Sequence, residues 1–168
     1  MPNPPPITLH PNALDLLFSH KETVSQVFKD VLGLHGIEHI ALTHLLPTHE
    51  LLALSSTPAM EFNLFSSPFW HFDKTYHPSW QATNTPARWE ALYSKTHFDN
   101  LLYIKQIKPC LPLGLSFVTQ TPKGPMVCSL ASHSASAAQQ GLFESHQPDF
   151  YKIGLYCAQK LMLLFYKV

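Results

Sequence analysis

Gly114-Leu115-Ser116-Phe117-Val118-Thr119-Gln120-Thr121-Pro122-Lys123-Gly124-Pro125-Met126-Val127-Cys128-Ser129-Leu130-Ala131-Ser132 reads as two strands closed by one turn. Gly114 to Thr121 is the first strand and Met126 to Ser132 the second. Pro122-Lys123-Gly124-Pro125 is the turn, where Gly124 is free to take a positive φ. Downstream, Ser134 to Gln140 reads as loop or weak helix. Gln147-Pro148-Asp149 then opens a helix running to about Tyr166. Ile153, Tyr156, Cys157, Lys160, Leu161 and Leu164 form its inward stripe.

Upstream of the hairpin, Leu101 to Lys108 reads as a further strand, broken by Pro109 to Pro112. Ile37 to Leu46 alternates as a strand, Pro47-Thr48-His49 turns, and Leu51 to Ser55 returns. Ala13 to Leu34 is helical, with a break near Ser19 and Val24, Val27, Phe28, Val31 and Leu32 on one face. Thr57-Pro58 opens a helix to about Phe65, and Thr85-Pro86 opens another over Ala87 to Lys95. Phe69 to Thr85 is a long irregular connection, a length that in compact domains usually carries function. Residues 1–12 form a Pro-rich arm, and residues 13–168 form a single domain. The expected fold class is α+β: a three-layer α-β-α sandwich on a five-stranded antiparallel sheet, PAS/GAF-like in topology.

Phe62 to Tyr103 sits between the second and third expected strands and holds eleven of the twenty aromatic residues, all three tryptophans among them. Phe62, Phe69, Trp70, Tyr76, Trp89, Tyr93 and Tyr103 are its candidate pocket residues. Aromatic rings bury large areas, and tryptophan and tyrosine each bring one polar group that needs a partner. Such a segment can wall a small-molecule pocket against the sheet or pack as a filled aromatic layer.

Charged residues are sparse at 13%, with eleven basic and eleven acidic side chains and a single arginine, Arg88. This is not the footprint of a nucleic-acid binder, and no direct nucleic-acid contact is expected. No apolar run is long enough to span a membrane, and the start lacks a secretory signal, so a cytoplasmic protein is expected. Cys110, Cys128 and Cys157 are scattered, as free thiols in a reducing compartment would be. Eleven histidines include His71 and His77 around Asp73, but H-x-D-x-x-x-H matches no standard metal site. His39 and His44 should face opposite sides of their strand. No nucleophile elbow or phosphate loop is present. Neither an enzyme, a metal site nor a cofactor is expected.

With the hairpin and closing helix placed, the chain resembles the ligand-binding domain of LuxR-type quorum-sensing regulators. The resemblance rests on Gly114-Leu115-Ser116-Phe117, on Thr121-Pro122-Lys123-Gly124 and on Leu130-Ala131-Ser132, followed by a long helix. Upstream, Trp89-Glu90-Ala91-Leu92-Tyr93 is similar to the family's W-x-x-x-Y, and Asp99 follows. The resemblance implies that Trp89, Tyr93 and Asp99 hold the lactone and amide of an acyl-homoserine lactone. Indole and phenol donate to carbonyls, and a carboxylate accepts from an amide. Asn100 stands where the family has proline, and the stretch from Asp99 to Gly114 is short. No helix-turn-helix sequence follows Val168. The expectation is therefore an autoinducer-like sensing domain for a small apolar signal, without a DNA-binding half in this chain. A homodimer or a partner protein would carry its output. The alternative is a ligand-free PAS-like protein-protein interaction module.

Overall fold

The computed structural model describes residues 6–168, so positions 1–5 of the Pro-rich arm lie outside the described residues. The rest of that arm enters the sheet. Thr8–Leu9 (β1) pairs in parallel with Glu50–Ser55. Ala13–Ser19 (α1) and Lys21–Lys29 (α2) follow, with the break falling at His20. His39–Leu45 (β2) and Glu50–Ser55 (β3) form an antiparallel pair. Pro58–Phe65 (α3) begins on proline at its first turn and ends before Ser66-Ser67-Pro68. Two 3-10 turns, Pro68–Phe72 and Lys74–Tyr76, lead through Pro78–Gln81 (α4) to Ala87–Arg88 (β4). Trp89–Leu92 (α5), Phe98–Leu102 (α6) and a π-helical turn over Tyr103–Ile107 complete the insert. Leu113–Thr121 (β5) and Gly124–Ser132 (β6) are the hairpin, in register from Leu113↔Ser132 to Thr121↔Gly124. Gly124 takes φ +104, which a β-carbon would resist. Ala137–Ser145 (α7) and Gln147–Leu161 (α8) close the chain, the latter tailing into a 3-10 turn at Met162–Tyr166.

The sheet order is β1-β3-β2-β6-β5-β4, six strands rather than five. The two additional strands are two-residue edges, too short to show an alternation. The expected strand over Leu101 to Lys108 is helical instead. Leu101, Lys105 and Gln106 are buried while Tyr103 and Ile107 are exposed, a pattern of helical rather than twofold period. The helix expected over Ala87 to Lys95 shrinks to one turn, because Ala87 and Arg88 pair with Ser116 and Leu115.

Each strand turns unlike residues to its two faces. Ile40, Leu42, Leu54, Leu115, Phe117, Cys128 and Leu130 pack against α2, α7 and α8 through Phe28, Phe143, Phe150, Ile153, Cys157 and Leu161. Of the expected α8 stripe, Tyr156 is only partly buried and Lys160 is exposed. The other face carries His39, Ala41, Thr43, Ala53, Gly114, Ser116, Ser129 and Ala131, small or polar around Gly114, with Leu51, Val118 and Val127 farther along the strands. Where its side chains are small, this face leaves depth for large rings above it. Gly114 is the clearest case: a β-carbon there would overlap the Trp89 indole.

Two expectations follow. Gly114→Ala forces the indole off the sheet and lowers stability by about 1–3 kcal/mol, read from urea unfolding. His44, on the helix face, lies 2.7 Å through Nε2 from the Tyr166 hydroxyl and packs edge-on to Phe165. Burial lowers its pKa below the ordinary 6.5, offset in part by the Pro125 backbone. Below pH 6.5 the unfolded chain takes up a proton that folded His44 resists, so stability falls as pH drops toward the folded value. His44→Gln should flatten that slope between pH 6.5 and the folded value; an unchanged slope would assign the loss to other groups.

Candidate functional site

The insert lies over the small-residue face and closes a chamber built from three separate segments. The first is the pair of 3-10 turns. Asp73 stands between them and caps the second: its Oδ1 accepts from the Thr75 backbone N–H at 3.0 Å and from Thr75 Oγ1 at 2.7 Å. Gln81 Nε2 donates to the Thr75 carbonyl at 3.2 Å, fixing the same loop.

The second segment is Arg88 to Tyr93. Pairing of β4 with β5 sets Trp89 directly over Gly114. Its indole Nε1 donates to Ser116 Oγ at 3.1 Å, and Ser116 Oγ lies 2.7 Å from Ser129 Oγ. Tyr93 leaves the helical turn in extended backbone and bridges Asp73.

The π-helical turn is the third segment. It carries Lys105 inward, and Nζ donates to Asp73 Oδ2 at 2.7 Å. The ammonium stands 4.4 Å from the Trp89 ring centroid, 5.5 Å from that of Tyr93 and 5.8 Å from that of Tyr76. Tyr93 donates to Gln106 Oε1 at 2.7 Å, and Gln106 Nε2 donates to Glu90 Oε1 at 2.6 Å and to the Pro112 carbonyl at 3.0 Å. Burial, followed by the Asp73 charge, raises the phenol pKa of both Tyr76 and Tyr93, which keeps each neutral.

Asp73 and Trp89 are each 0% exposed and Lys105 is 1% exposed, so the chamber is filled by the protein's own side chains. A second buried pair stands beside it. His39 Nε2 is 3.3 Å from Glu61 Oε1 but is not aligned for a hydrogen bond. Glu61 Oε2 and His39 Nδ1 have no hydrogen-bond partner among the described residues. The His39 ring meets Trp89 edge to face at 6.0 Å.

The expected site residues divide in two. Trp89, Tyr93, Trp70 and Tyr76 are buried in one cluster, with Phe69 partly buried against it. Phe62, Tyr103 and Asp99 are exposed. The carboxylate facing the aromatic rings is Asp73, not Asp99. Two local signals point to it: the Asp-x-Thr cap of Asp73 and Thr75, and a lone lysine inside the apolar run Leu101 to Ile107. His39 and His44 do face opposite sides of β2, toward Trp89 and Phe165 respectively.

Two other features lie elsewhere. A surface cleft of about 460 Å³ runs between α2 and the β3–α3 connection, with Val24, Phe28 and Pro58 in its lining and Lys21 and Lys29 beside them. His35, His146 and Asp149 bring ligand-type atoms within 4.8 Å of one another. Their imidazoles stack face to face at 3.8 Å, and each ring approaches Asp149, at 3.2 and 3.5 Å. Cys128 and Cys157 are buried free thiols and Cys110 is an exposed one. Among the described residues no helix is long and apolar enough to cross a membrane.

No protein-family model and no curated protein matches this sequence. Solved structures do. SdiA in complex with octanoyl-rac-glycerol superposes with a TM-score of 0.58 at 13% identity, over 90% of this chain and 62% of that one. The VqsR LBD from Pseudomonas aeruginosa gives 0.52 at 15% identity, over 89% and 92%. CepR2 from Burkholderia cenocepacia, an N-acylhomoserine lactone dependent LuxR family factor, gives 0.55 at 13%, over 90% and 87%. The chain has the fold that SdiA, VqsR and CepR2 share. It spans about three-fifths of the SdiA chain and nearly all of the VqsR LBD.

Within this fold, the chamber's stability depends on both members of its ion pair. Lys105→Met leaves the Asp73 carboxylate buried without its cation and should cost about 3–5 kcal/mol in urea unfolding. Adding Asp73→Asn to Lys105→Met should recover part of that loss. A double variant no more stable than the single one would show that the pair is not coupled.

Proposed function

We propose that this chain is a small-molecule-sensing domain of the LuxR type, comprising residues 13–168 together with the arm's Thr8–Leu9 strand, and that its sensing element is the chamber between the sheet and the insert. The observation that carries this reading is the buried aromatic cluster of Trp70, Tyr76, Trp89 and Tyr93 around one carboxylate, in a fold shared with SdiA and CepR2. Solved relatives of that fold are described with octanoyl-rac-glycerol or as dependent on N-acylhomoserine lactone. Here the signal would be small and largely apolar. It would act by favouring a state in which the insert has opened around the intact Asp73–Lys105 pair, since a ligand shifts an equilibrium only by its differential affinity for two states. The domain belongs to the PAS/GAF-like class of sensor folds. It carries no catalytic machinery, works in the cytoplasm, and passes its state on through a homodimer contact or a partner protein.

A second reading, a ligand-free interaction module, is favoured by the near absence of accessible surface in the chamber. Thermal shift separates the two. Under the sensing reading, octanoyl-rac-glycerol or an N-acylhomoserine lactone raises the melting temperature saturably. A stabilisation of about 2.7 kcal/mol is expected at roughly one hundred times Kd. Tyr93→Phe or Asp73→Asn removes the shift. No shift with any acyl chain length supports the module.

A further inference from the structure

The chemistry inside the chamber is specific to one kind of group. Asp73 supplies a fully buried carboxylate, and two of its hydrogen bonds are already spent on Thr75. Its other oxygen accepts from the Lys105 ammonium, which stands over the rings of Trp89, Tyr93 and Tyr76. A carboxylate on one side and ring faces on the others attract a cation: the first by charge, the second through the ring quadrupole. A neutral carbonyl or acyl chain in the same place would leave Asp73 buried and uncompensated, which is strongly unfavourable.

We infer that the chamber is a recognition site for a primary alkylammonium group, and that the chain fills it with its own Lys105. The backbone is shaped for this. Lys105 sits in a π-helical turn over Tyr103–Ile107, a rare conformation that often marks functional positions. The turn puts Lys105 and Gln106 inward together, so that one meets Asp73 while the other receives the Tyr93 hydroxyl. Lys105 is thus a tethered occupant, and its methylenes fill the space that a short alkyl tail would take. A diffusible ligand that replaces it here must bring an ammonium group of its own. The inference stands apart from the sensing proposal, because the site's preference for an ammonium is the same whether or not a signal ever enters.

The test removes the tether and returns the fragment. Lys105→Ala lacks the atoms of n-propylammonium. It should melt on the order of 10 °C below the parent chain. Millimolar n-propylammonium chloride should then raise its melting temperature saturably and recover at least half of the loss. Sodium chloride at the same ionic strength and 1-propanol should not. The parent chain should not respond, and neither should the variant that also carries Asp73→Asn. If Lys105→Ala is recovered only as aggregate, the same additives are compared by the yield of soluble chain on dilution from urea. Selective rescue by n-propylammonium in either format supports the site. Equal rescue by 1-propanol would make the chamber merely apolar and overturn the assignment, as would no rescue by any of the three.

Discussion

One buried ion pair, Asp73 with Lys105, constrains everything between the sheet and the insert. Each charge withdrawn from water costs several kcal/mol, and their attraction offsets this only when the geometry is good and the remaining hydrogen-bonding capacity is used. Both conditions are met. Asp73 accepts from Thr75 twice and from Lys105 once, and the ammonium has ring faces around it. The pair therefore ties a 3-10 turn, a strand-to-helix junction and a π-helical turn into one structure. None of the three is long enough to hold its conformation alone.

The sheet makes room for that arrangement by being unequal on its two faces. Against α2, α7 and α8 it presents branched and aromatic side chains, as any core would. Against the insert it presents glycine, alanine, serine and threonine around Gly114, and these let Trp89 come down onto the backbone there. The polar members of this face are not idle: Ser116 receives the indole N–H and meets Ser129. His39 and Glu61 are the loose end, with polar atoms that find no partner among the described residues. They stand beside Trp89, where any ligand or water reaching this interior would find them.

Much of this was legible in the sequence, for definite reasons. The hairpin, the β2–β3 pair and α3 show in the text because alternation, turn residues and a Pro at the first helical turn are local signals. The aromatic cluster around Trp89 and Tyr93 was also visible, as was its place over the sheet. What was hidden depends on contacts distant in sequence. A two-residue strand such as Ala87–Arg88 carries no period, and only its pairing with β5 defines it. Leu101 to Lys108 reads as a strand because its buried lysine and glutamine look like solvent-facing residues. Asp99 follows Tyr93 closely in sequence, whereas Asp73 reaches the same rings from twenty residues upstream of that tyrosine, through a bridge in space. Lysine belongs on the surface by default, so the apolar neighbours of Lys105 are the one local sign that it is the residue inside.

The account therefore rests on a lysine ammonium held away from water against a carboxylate and an indole. The direct measurement is a proton–nitrogen spectrum of the side-chain ammonium groups in chain labelled with ¹⁵N-lysine, with Lys105→Arg as the assignment control. The account predicts one ammonium resonance protected from solvent exchange at neutral pH and shifted by the Trp89 ring current, and that resonance disappears in the variant. A spectrum in which every lysine ammonium exchanges as fast as an exposed one, or in which the protected signal survives Lys105→Arg, would contradict it.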